Sequence, residues 1–184
     1  MESDIGNWIT DRLSNNLKEF NNLPACPFAK QAWVEGKVVT QHLQSGKFDI
    51  SMKDYFRAEL ENFTYHWPKK KEVIVLGTEP ENISSEELSE VTKKFNDSFL
   101  AERGYLALED HPSDIEMVDN YILNQGNWAL ILLQPLEKIN TARRILLKKD
   151  YYKNWDPEYY NDVINGGIFC SANFAISICI SVDQ

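Results

Sequence analysis

The feature that most constrains the fold is a run of four apolar residues, 73–76, that stops at Gly77. An uninterrupted apolar run of this length is typical of a strand covered on both faces. Ser84 and Glu87 follow at the spacing of a capping box and predict the start of a long helix. Because strands alternate with helices, we predict a single layered α/β domain with a mixed, mostly parallel sheet of about four to five strands and flanking helices.

Spacing patterns along the rest of the chain predict the other elements. Predicted strands cover residues 36–43, 73–76, 105–108 and 128–133. Predicted helices cover residues 5–20, 52–63 after a Ser51 cap, and 84–104, with a short helix between Pro112 and Gly126 and a last core helix from Asn140 or Thr141. We assign residues 1–165 to the α/β domain and residues 166–184 to a strand-like C-terminal tail.

Composition and charge narrow the class of protein. The chain has 184 residues, of which 43% are hydrophobic, and a net charge of −9. These values are typical of one globular domain and exclude whole-chain disorder. An acidic chain repels nucleic-acid phosphates and anionic lipid, so we expect neither nucleic acid nor a membrane as a partner. Three cysteines without a CxxC motif, and a start that lacks the signal-peptide pattern, predict a cytoplasmic protein.

The segment 23–30, which reads LPACPFAK, is the most distinctive in the chain. Proline favours the first position of a helix, so Pro27 would place Cys26 at the N-cap, where backbone N–H groups stabilise a thiolate. Lys30 would lie close by and is a candidate for holding an anionic group. The alternative is that Cys26 is a small buried hydrophobic residue in a turn fixed by Pro24 and Pro27. Both interpretations stay open from the sequence.

A second candidate site lies in the loop after the predicted strand 105–108. His111 stands there beside Asp110, and Glu79 occupies the equivalent place after the neighbouring strand. Ligands in α/β sheets collect at the carboxyl ends of strands, so we expect the two loops to face one cleft. His111 would act as a general base there, or join Asp110, Asp114 or Glu79 around a divalent cation. The alternative is structural, with Asp114 compensating the dipole of a helix.

Acidic residues concentrate around this histidine. Residues 109–119 contain five carboxylates and no Lys or Arg. Such a loop favours a protonated imidazole or a bound cation and disfavours an anionic ligand. An anion would therefore approach Lys30 or Arg143, which belongs to the last core helix.

The Cys-Pro-Phe-Ala motif of residues 26–29 resembles the signature of a bacterial family of unknown activity, the "domain of unknown function 1415" family. That family is similar in its later landmarks too: a His-Pro pair at a strand end, matched by His111-Pro112, and then an apolar strand that enters a helix. The resemblance covers about residues 7–147. Gln134 and Pro135 stand where the family pattern has an Arg-Glu pair. The resemblance implies that Cys26 and His111 belong to one site, and it implies no reaction.

Together these patterns predict a small-molecule-binding protein or enzyme with a Cys/His site. The predicted catalytic residues are Cys26, His111 and Glu79, and the predicted ligand-binding residues are Lys30, Asp110 and Arg143. The sequence assigns no metal and no cofactor.

The tail supports an alternative function. Apolar and polar residues alternate over 168–182, which predicts a strand. Three outcomes are open for this strand: it adds to the sheet edge, it pairs with a second copy in a homodimer, or it remains an aggregation-prone end. With the aromatic side chains of residues 151–160, it suggests a non-enzymatic module for self-association or partner binding.

Overall fold

A computed structural model of the chain describes residues 1–118, 120–155 and 157–160. Its strands are β1 (Asn16–Leu17), β2 (Leu23–Pro24), β3 (Val38–His42), β4 (Val73–Thr78), β5 (Tyr105–Asp110), β6 (Met117–Val118), β7 (Tyr121–Ile122) and β8 (Ala129–Pro135). Its helices are α1 (Glu2–Trp8), α2 (Ala29–Val34), α3 (Met52–Tyr65), α4 (Ser85–Phe95), α5 (Leu136–Lys148) and α6 (Pro157–Tyr160). The predicted domain end at residue 165 and the predicted tail, residues 166–184, lie outside the described residues.

Within the described ranges, four strands form the central sheet in the order β3, β4, β8, β5. β3 and β4 are parallel, whereas β8 runs antiparallel to both β4 and β5. The α/β class and the mixed sheet are confirmed, but the sheet has one parallel pair in place of the expected parallel majority. The physical reason is that β8 follows a short β6–β7 hairpin, so no crossover helix returns the chain parallel to β5.

Side chains of β4 and β8 alternate between two hydrophobic clusters, one on each face of the sheet. Val73 and Val75 pack with α1, α2 and α5 on one face. Ile74 and Leu76 pack with α3 and α4 on the other face. All four side chains are buried, so β4 is covered on both faces, as the apolar run predicts.

Two predicted helix caps are present. Ser84 accepts a hydrogen bond from the backbone N–H of Glu87, and the Glu87 carboxylate accepts one from the backbone N–H of Ser84. Ser51 likewise accepts from the backbone N–H of Asp54 at the start of α3. These local patterns fix where α3 and α4 begin.

The predicted helix between Pro112 and Gly126 is wrong. Ser113 and Glu116 have the spacing of a capping box, but the backbone N–H of Glu116 donates to Oδ1 of Asn124, and β6 and β7 fold into a hairpin. A side chain eight positions away thus competes successfully with the local helix signal.

The predicted bounds of the first and last core helices also change. α1 continues as a π-helical turn that ends at Leu13, before the predicted end at Phe20, and β1 then pairs with β2. Asn21 and Asn22 make this reversal with positive φ angles of 55° and 60°, which asparagine adopts more readily than most residues. α5 begins at Leu136, before the predicted Asn140, because the chain turns directly out of β8 at Pro135.

The outer side of β5 is covered at one point by an amide side chain. Nδ2 of Asn96 donates to the carbonyl oxygen of Ala107 at 2.9 Å, and the backbone N–H of Ala107 donates to Oδ1 of Asn96 at 2.9 Å. Asn96 thus bonds to both outward-facing backbone groups of Ala107.

Candidate functional site

The carboxyl ends of β3, β4 and β5 lie together with the start of β8. We call this end of the strands the carboxyl edge of the sheet. The register places His42 of β3 beside Gly77 of β4, and it places Thr78 beside Ala129 of β8. β5 ends at the same edge, at Asp110. This edge is where ligands collect in α/β proteins, and the structure places a connected set of polar side chains on it.

The centre of this set is a pair formed by His42 and Glu79. Nε2 of His42 lies 2.9 Å from Oε1 of Glu79. Both side chains reach solvent, since that of His42 is 30% exposed and that of Glu79 is 46% exposed. The ring of Trp128 meets the His42 ring edge to face, with 5.0 Å between centroids. The imidazole is therefore oriented on two sides and still accessible.

Glu79 is held as a carboxylate by its neighbours. Its own backbone N–H lowers the pKa of Glu79 below the usual range, the charge of His42 acts in the same direction, and partial burial opposes both. Nδ2 of Asn82 donates to Oε2 at 3.1 Å and to Oγ1 of Thr78 at 2.9 Å. Thr78 in turn donates to the carbonyl oxygen of Leu43 at 2.9 Å. A hydrogen-bond chain from β3 through β4 thus fixes the carboxylate that faces His42.

This arrangement determines the tautomer of His42. An ionised carboxylate can only accept hydrogen bonds, so Nε2 of His42 carries the hydrogen that faces Glu79. In the neutral ring, Nδ1 then holds the lone pair. Within the described part of the chain, Nδ1 has no hydrogen-bond partner. His42 therefore has the form of a general base whose free nitrogen is Nδ1.

Asp4 of α1 joins this edge through Trp128. The indole N–H of Trp128 donates to Oδ2 of Asp4 at 2.9 Å, and this bond lowers the pKa of the Asp4 carboxyl. Helix α1 is thereby tied to the side chain that contacts His42. We call the following six residues the edge site: Asp4, His42, Thr78, Glu79, Asn82 and Trp128.

His111 is buried and supports the edge site from behind. Its Nε2 lies 3.1 Å from the carbonyl oxygen of Ile83 and 3.4 Å from that of Pro80, and its Nδ1 accepts from the backbone N–H of Ser113 at 3.1 Å. Both ring nitrogens are therefore used by backbone groups. Pro80 begins the 3-10 turn that carries Asn82, so the structure gives His111 a positioning role.

Asp110 is also buried and bonds to a loop. Its carboxylate accepts from the backbone N–H of Gln125 at 2.9 Å and from Nδ2 of Asn124 at 2.7 Å. Burial raises the pKa of Asp110 to about 6, against the opposing effect of these hydrogen bonds. Asp110 thus fixes the chain between β7 and β8 and does not belong to the edge site.

Cys26 lies elsewhere, in the hydrophobic cluster that faces α1, α2 and α5. It is 2% exposed, and its backbone N–H donates to the carbonyl oxygen of Leu13. α2 begins after an N-cap at Phe28, so Cys26 lies two residues before the position at which the helix would stabilise a thiolate. The structure does not bring Cys26 to His111, whose hydrogen bonds to the backbone involve the other face of the sheet.

The two predicted cationic residues lie on different helices. Lys30 is an exposed residue of α2. Arg143 belongs to α5 and lies near Tyr105 and Pro135, at the end of the strands opposite to the edge site. Neither residue is part of the edge site.

The aromatic segment after α5 is only partly available for association. Tyr151 and Tyr152 are 2% and 6% exposed. Tyr151 stacks on Phe20 at 5.1 Å between ring centroids, and its hydroxyl donates to the carbonyl oxygen of Ala25. These two tyrosines are core residues, which corrects the expectation that they form a contact surface.

The sequence predicted Glu79 but missed His42, Asn82 and Trp128. The available signal was positional, because His42 lies near the end of the predicted strand 36–43 and Glu79 follows the predicted strand 73–76. Using it requires that β3 lie beside β4, and that pairing is not visible in local spacing.

Among the described residues, no group of three or more His, Cys, Asp or Glu side chains is arranged to hold a metal ion. No helix there is long and apolar enough to span a membrane.

Comparisons with protein-family models, with curated proteins and with solved structures found no match to this chain. The resemblance that residues 26–29 carry therefore stays a prediction.

Proposed function

We propose that the edge site binds a small polar molecule and that His42 exchanges a proton with it. The observation that carries this proposal is the 2.9 Å contact between Nε2 of His42 and Oε1 of Glu79 at the carboxyl ends of the strands. A carboxylate that holds one ring nitrogen orients an imidazole and stabilises its protonated form. Of the three predicted catalytic residues, this proposal keeps Glu79 as the partner of the base and gives the base role to His42.

Three features of the edge site support binding as well as proton transfer. The two central side chains reach solvent, so a ligand can approach them. The Trp128 ring offers an apolar face beside the imidazole. Asn82 and Thr78 hold Glu79 through fixed hydrogen bonds, so the pair is in place before a ligand arrives.

In the proposed reaction His42 acts first as a general base and then as a general acid. Nδ1 of His42 removes a proton from a bound water or hydroxyl group, and the resulting imidazolium keeps its Nε2–H directed at Glu79. The deprotonated oxygen then forms a bond to an electrophilic carbon of the substrate, the bond from that carbon to the leaving group breaks, and Nδ1 returns the proton to the leaving group. Glu79 stays ionised throughout, because its pKa lies below the usual range.

The competing explanation is that His42 and Glu79 form an ordinary surface ion pair joining β3 to the turn after β4. Such pairs contribute about 0–1 kcal/mol and need no ligand. The two explanations differ in one testable respect. A general base accelerates the reaction of a substrate through Nδ1 of His42, whereas an ion pair with only a structural role does not.

Hydrolysis of p-nitrophenyl acetate tests the proposal, because this ester reports any activated imidazole without knowledge of the natural substrate. We expect the protein to accelerate the reaction above buffer, and His42→Gln to remove about tenfold or more of that acceleration. Glu79→Gln should give an intermediate rate. His66→Gln is the matched control, since His66 is an exposed histidine on the C-cap of α3.

Equal rates for the native chain and His42→Gln would overturn the proposal. So would an equal loss in His66→Gln, because that result would assign the reaction to exposed histidines in general. Circular dichroism of each variant confirms that the rates compare folded proteins.

A further inference from the structure

A cationic groove lies at the opposite end of the strands, which we call the arginine edge of the sheet. It lies where β5 begins and β8 ends, beside the first three turns of α5, and it has a volume of about 880 Å³. Arg103, Arg143 and Arg144 line it, and Glu137 is the one carboxylate among its lining residues. Three guanidinium groups and one carboxylate give the lining a net charge of +2, on a chain whose net charge is −9.

Arg103 is held at one side of the groove by ring contacts and hydrogen bonds. Its guanidinium lies over the rings of Tyr65 and Phe99, at 4.3 Å and 5.0 Å from their centroids. It also donates to Oγ1 of Thr64 at 3.0 Å and to the hydroxyl of Tyr65 at 2.8 Å. A guanidinium fixed by stacking loses little entropy when an anion binds, so this side of the groove is preorganised.

The arginines of α5 form the other side of the groove. Arg144 is fixed along the helix, where it donates to the carbonyl oxygen of Asn140 and to Oγ1 of Thr141. Nε of Arg143 is buried and has no hydrogen-bond partner in the described part of the chain. A buried donor without an acceptor is unfavourable, and a bound anion would supply the missing acceptor.

The remaining lining residues are largely apolar. Tyr105, Pro135, Leu136 and Leu147 provide this surface, and the Tyr105 ring is fixed against Trp67 at 5.1 Å between centroids. A ligand that fits therefore combines an anionic group with an apolar body. Inorganic ions alone would leave the apolar surface uncovered.

We propose that this groove is a binding site for a phosphate monoester with an apolar or aromatic body. A phosphate monoester carries a charge of about −1.5 to −2 at pH 7, which matches the net charge of the lining. Its oxygens accept hydrogen bonds from guanidinium groups in the paired geometry that arginine favours. The site lies at the edge of the sheet opposite to His42 and is independent of the proton-transfer proposal.

Calorimetric titration of the full chain tests this site with four probes: phenyl phosphate, inorganic phosphate, phthalate and benzyl alcohol. We expect saturable binding of phenyl phosphate that is tighter than binding of inorganic phosphate, and no binding of benzyl alcohol. Arg143→Gln should weaken the binding of phenyl phosphate by about 10- to 100-fold, because a charge-assisted hydrogen bond is lost.

Lys148→Gln is the matched control, since Lys148 is an exposed cation on the same helix that does not line the groove. It should leave the affinity for phenyl phosphate unchanged. Arg144→Gln, at an exposed position, provides a second test should Arg143→Gln fail to fold.

Four results would overturn the proposal. The first is the absence of saturable binding of phenyl phosphate, and the second is an equal loss of affinity in Lys148→Gln. The third is tighter binding of phthalate than of phenyl phosphate, which would assign the groove to dicarboxylates. The fourth is binding of a glutamate-rich peptide in the absence of phenyl phosphate binding, which would assign it to a protein partner.

Discussion

At one edge of the central sheet the strands end on a histidine and a carboxylate, and at the other edge the same sheet is flanked by three arginines. The carboxyl edge is assembled from side chains that fix one another, such as Asn82 on Glu79. At the arginine edge, by contrast, the buried Nε of Arg143 has no partner in the described residues. The site proposed for proton transfer is thus internally hydrogen-bonded, whereas the site proposed for the phosphate monoester keeps an unpaired donor among the described residues.

A mutation in β8 should affect both sites, because this strand contributes residues to both ends of the sheet. β8 runs from one edge to the other, and Leu132 at its middle is 1% exposed. We expect Leu132→Ala to lower the free energy of unfolding by about 2–5 kcal/mol and to weaken both sites. Urea unfolding measures the loss. Ile122→Ala, at a side chain that is 44% exposed, is the control and should stay within about 0.5 kcal/mol of the native chain.

A second change affects the carboxyl edge alone. His111→Ala removes the ring that bonds to the carbonyl oxygens of Pro80 and Ile83. We expect a loss of about 1–3 kcal/mol in unfolding free energy, because buried polar groups lose their partner. Hydrogen exchange should increase around Asn82 and remain unchanged in α5. Exchange that increases equally in α5 would contradict a role confined to this edge, and His66→Ala provides the exposed control.

The pH dependence of the unfolding free energy provides a third test. Burial raises the pKa of Glu109 to about 8 from the usual 4.5, so between these values the folded chain keeps a proton that the unfolded chain has lost. Glu109 therefore favours folding most strongly at low pH, and this contribution is lost as pH rises toward 8. We expect the native chain to lose up to about 1.4 kcal/mol per pH unit relative to Glu109→Gln in this window.

Urea unfolding of both proteins between pH 5 and pH 9 measures this difference. Glu102→Gln, at an exposed position near the arginine edge, should follow the pH dependence of the native chain. Parallel curves for the native chain and Glu109→Gln would show that Glu109 ionises alike in both states.

The smallest expected effect concerns the helix that follows the edge site. Ser84→Ala removes the hydroxyl that accepts from the backbone N–H of Glu87. The unfolding free energy should fall by about 1 kcal/mol, as for other N-cap serines. Ser45→Ala, in an exposed turn, should change nothing measurable. A Ser84 effect as small as that of Ser45 would mean that the packing of α4 alone fixes its start.

Local patterns predicted the parts of the fold that depend on neighbours in sequence. Ser84 with Glu87 and Ser51 with Asp54 are close in the chain, so residue spacing alone indicates the caps of α3 and α4. The apolar run at 73–76 likewise indicated a strand covered on both faces. In each case the interaction spans only a few residues.

The features that the sequence did not predict depend on contacts between residues far apart in the chain. His42 meets Glu79 across 37 positions, and Trp128 meets Asp4 across 124. The antiparallel direction of β8 depends on a hairpin that Asn124 stabilises from outside it. Glu79 could be predicted because its place after a strand is a local property, whereas its partner is set by strand order.

The amide of Asn96 affects how copies of this chain can associate through β5. Among the described residues β5 is the outermost strand on one side of the central sheet, and the open side of such a strand is where foreign strands add and aggregates begin. Asn96 occupies the donor and the acceptor of Ala107 that an incoming strand would need. The Asn96 side chain therefore prevents continuous pairing of another strand along β5. Its loss would leave the backbone N–H and carbonyl of Ala107 open to a strand from another copy.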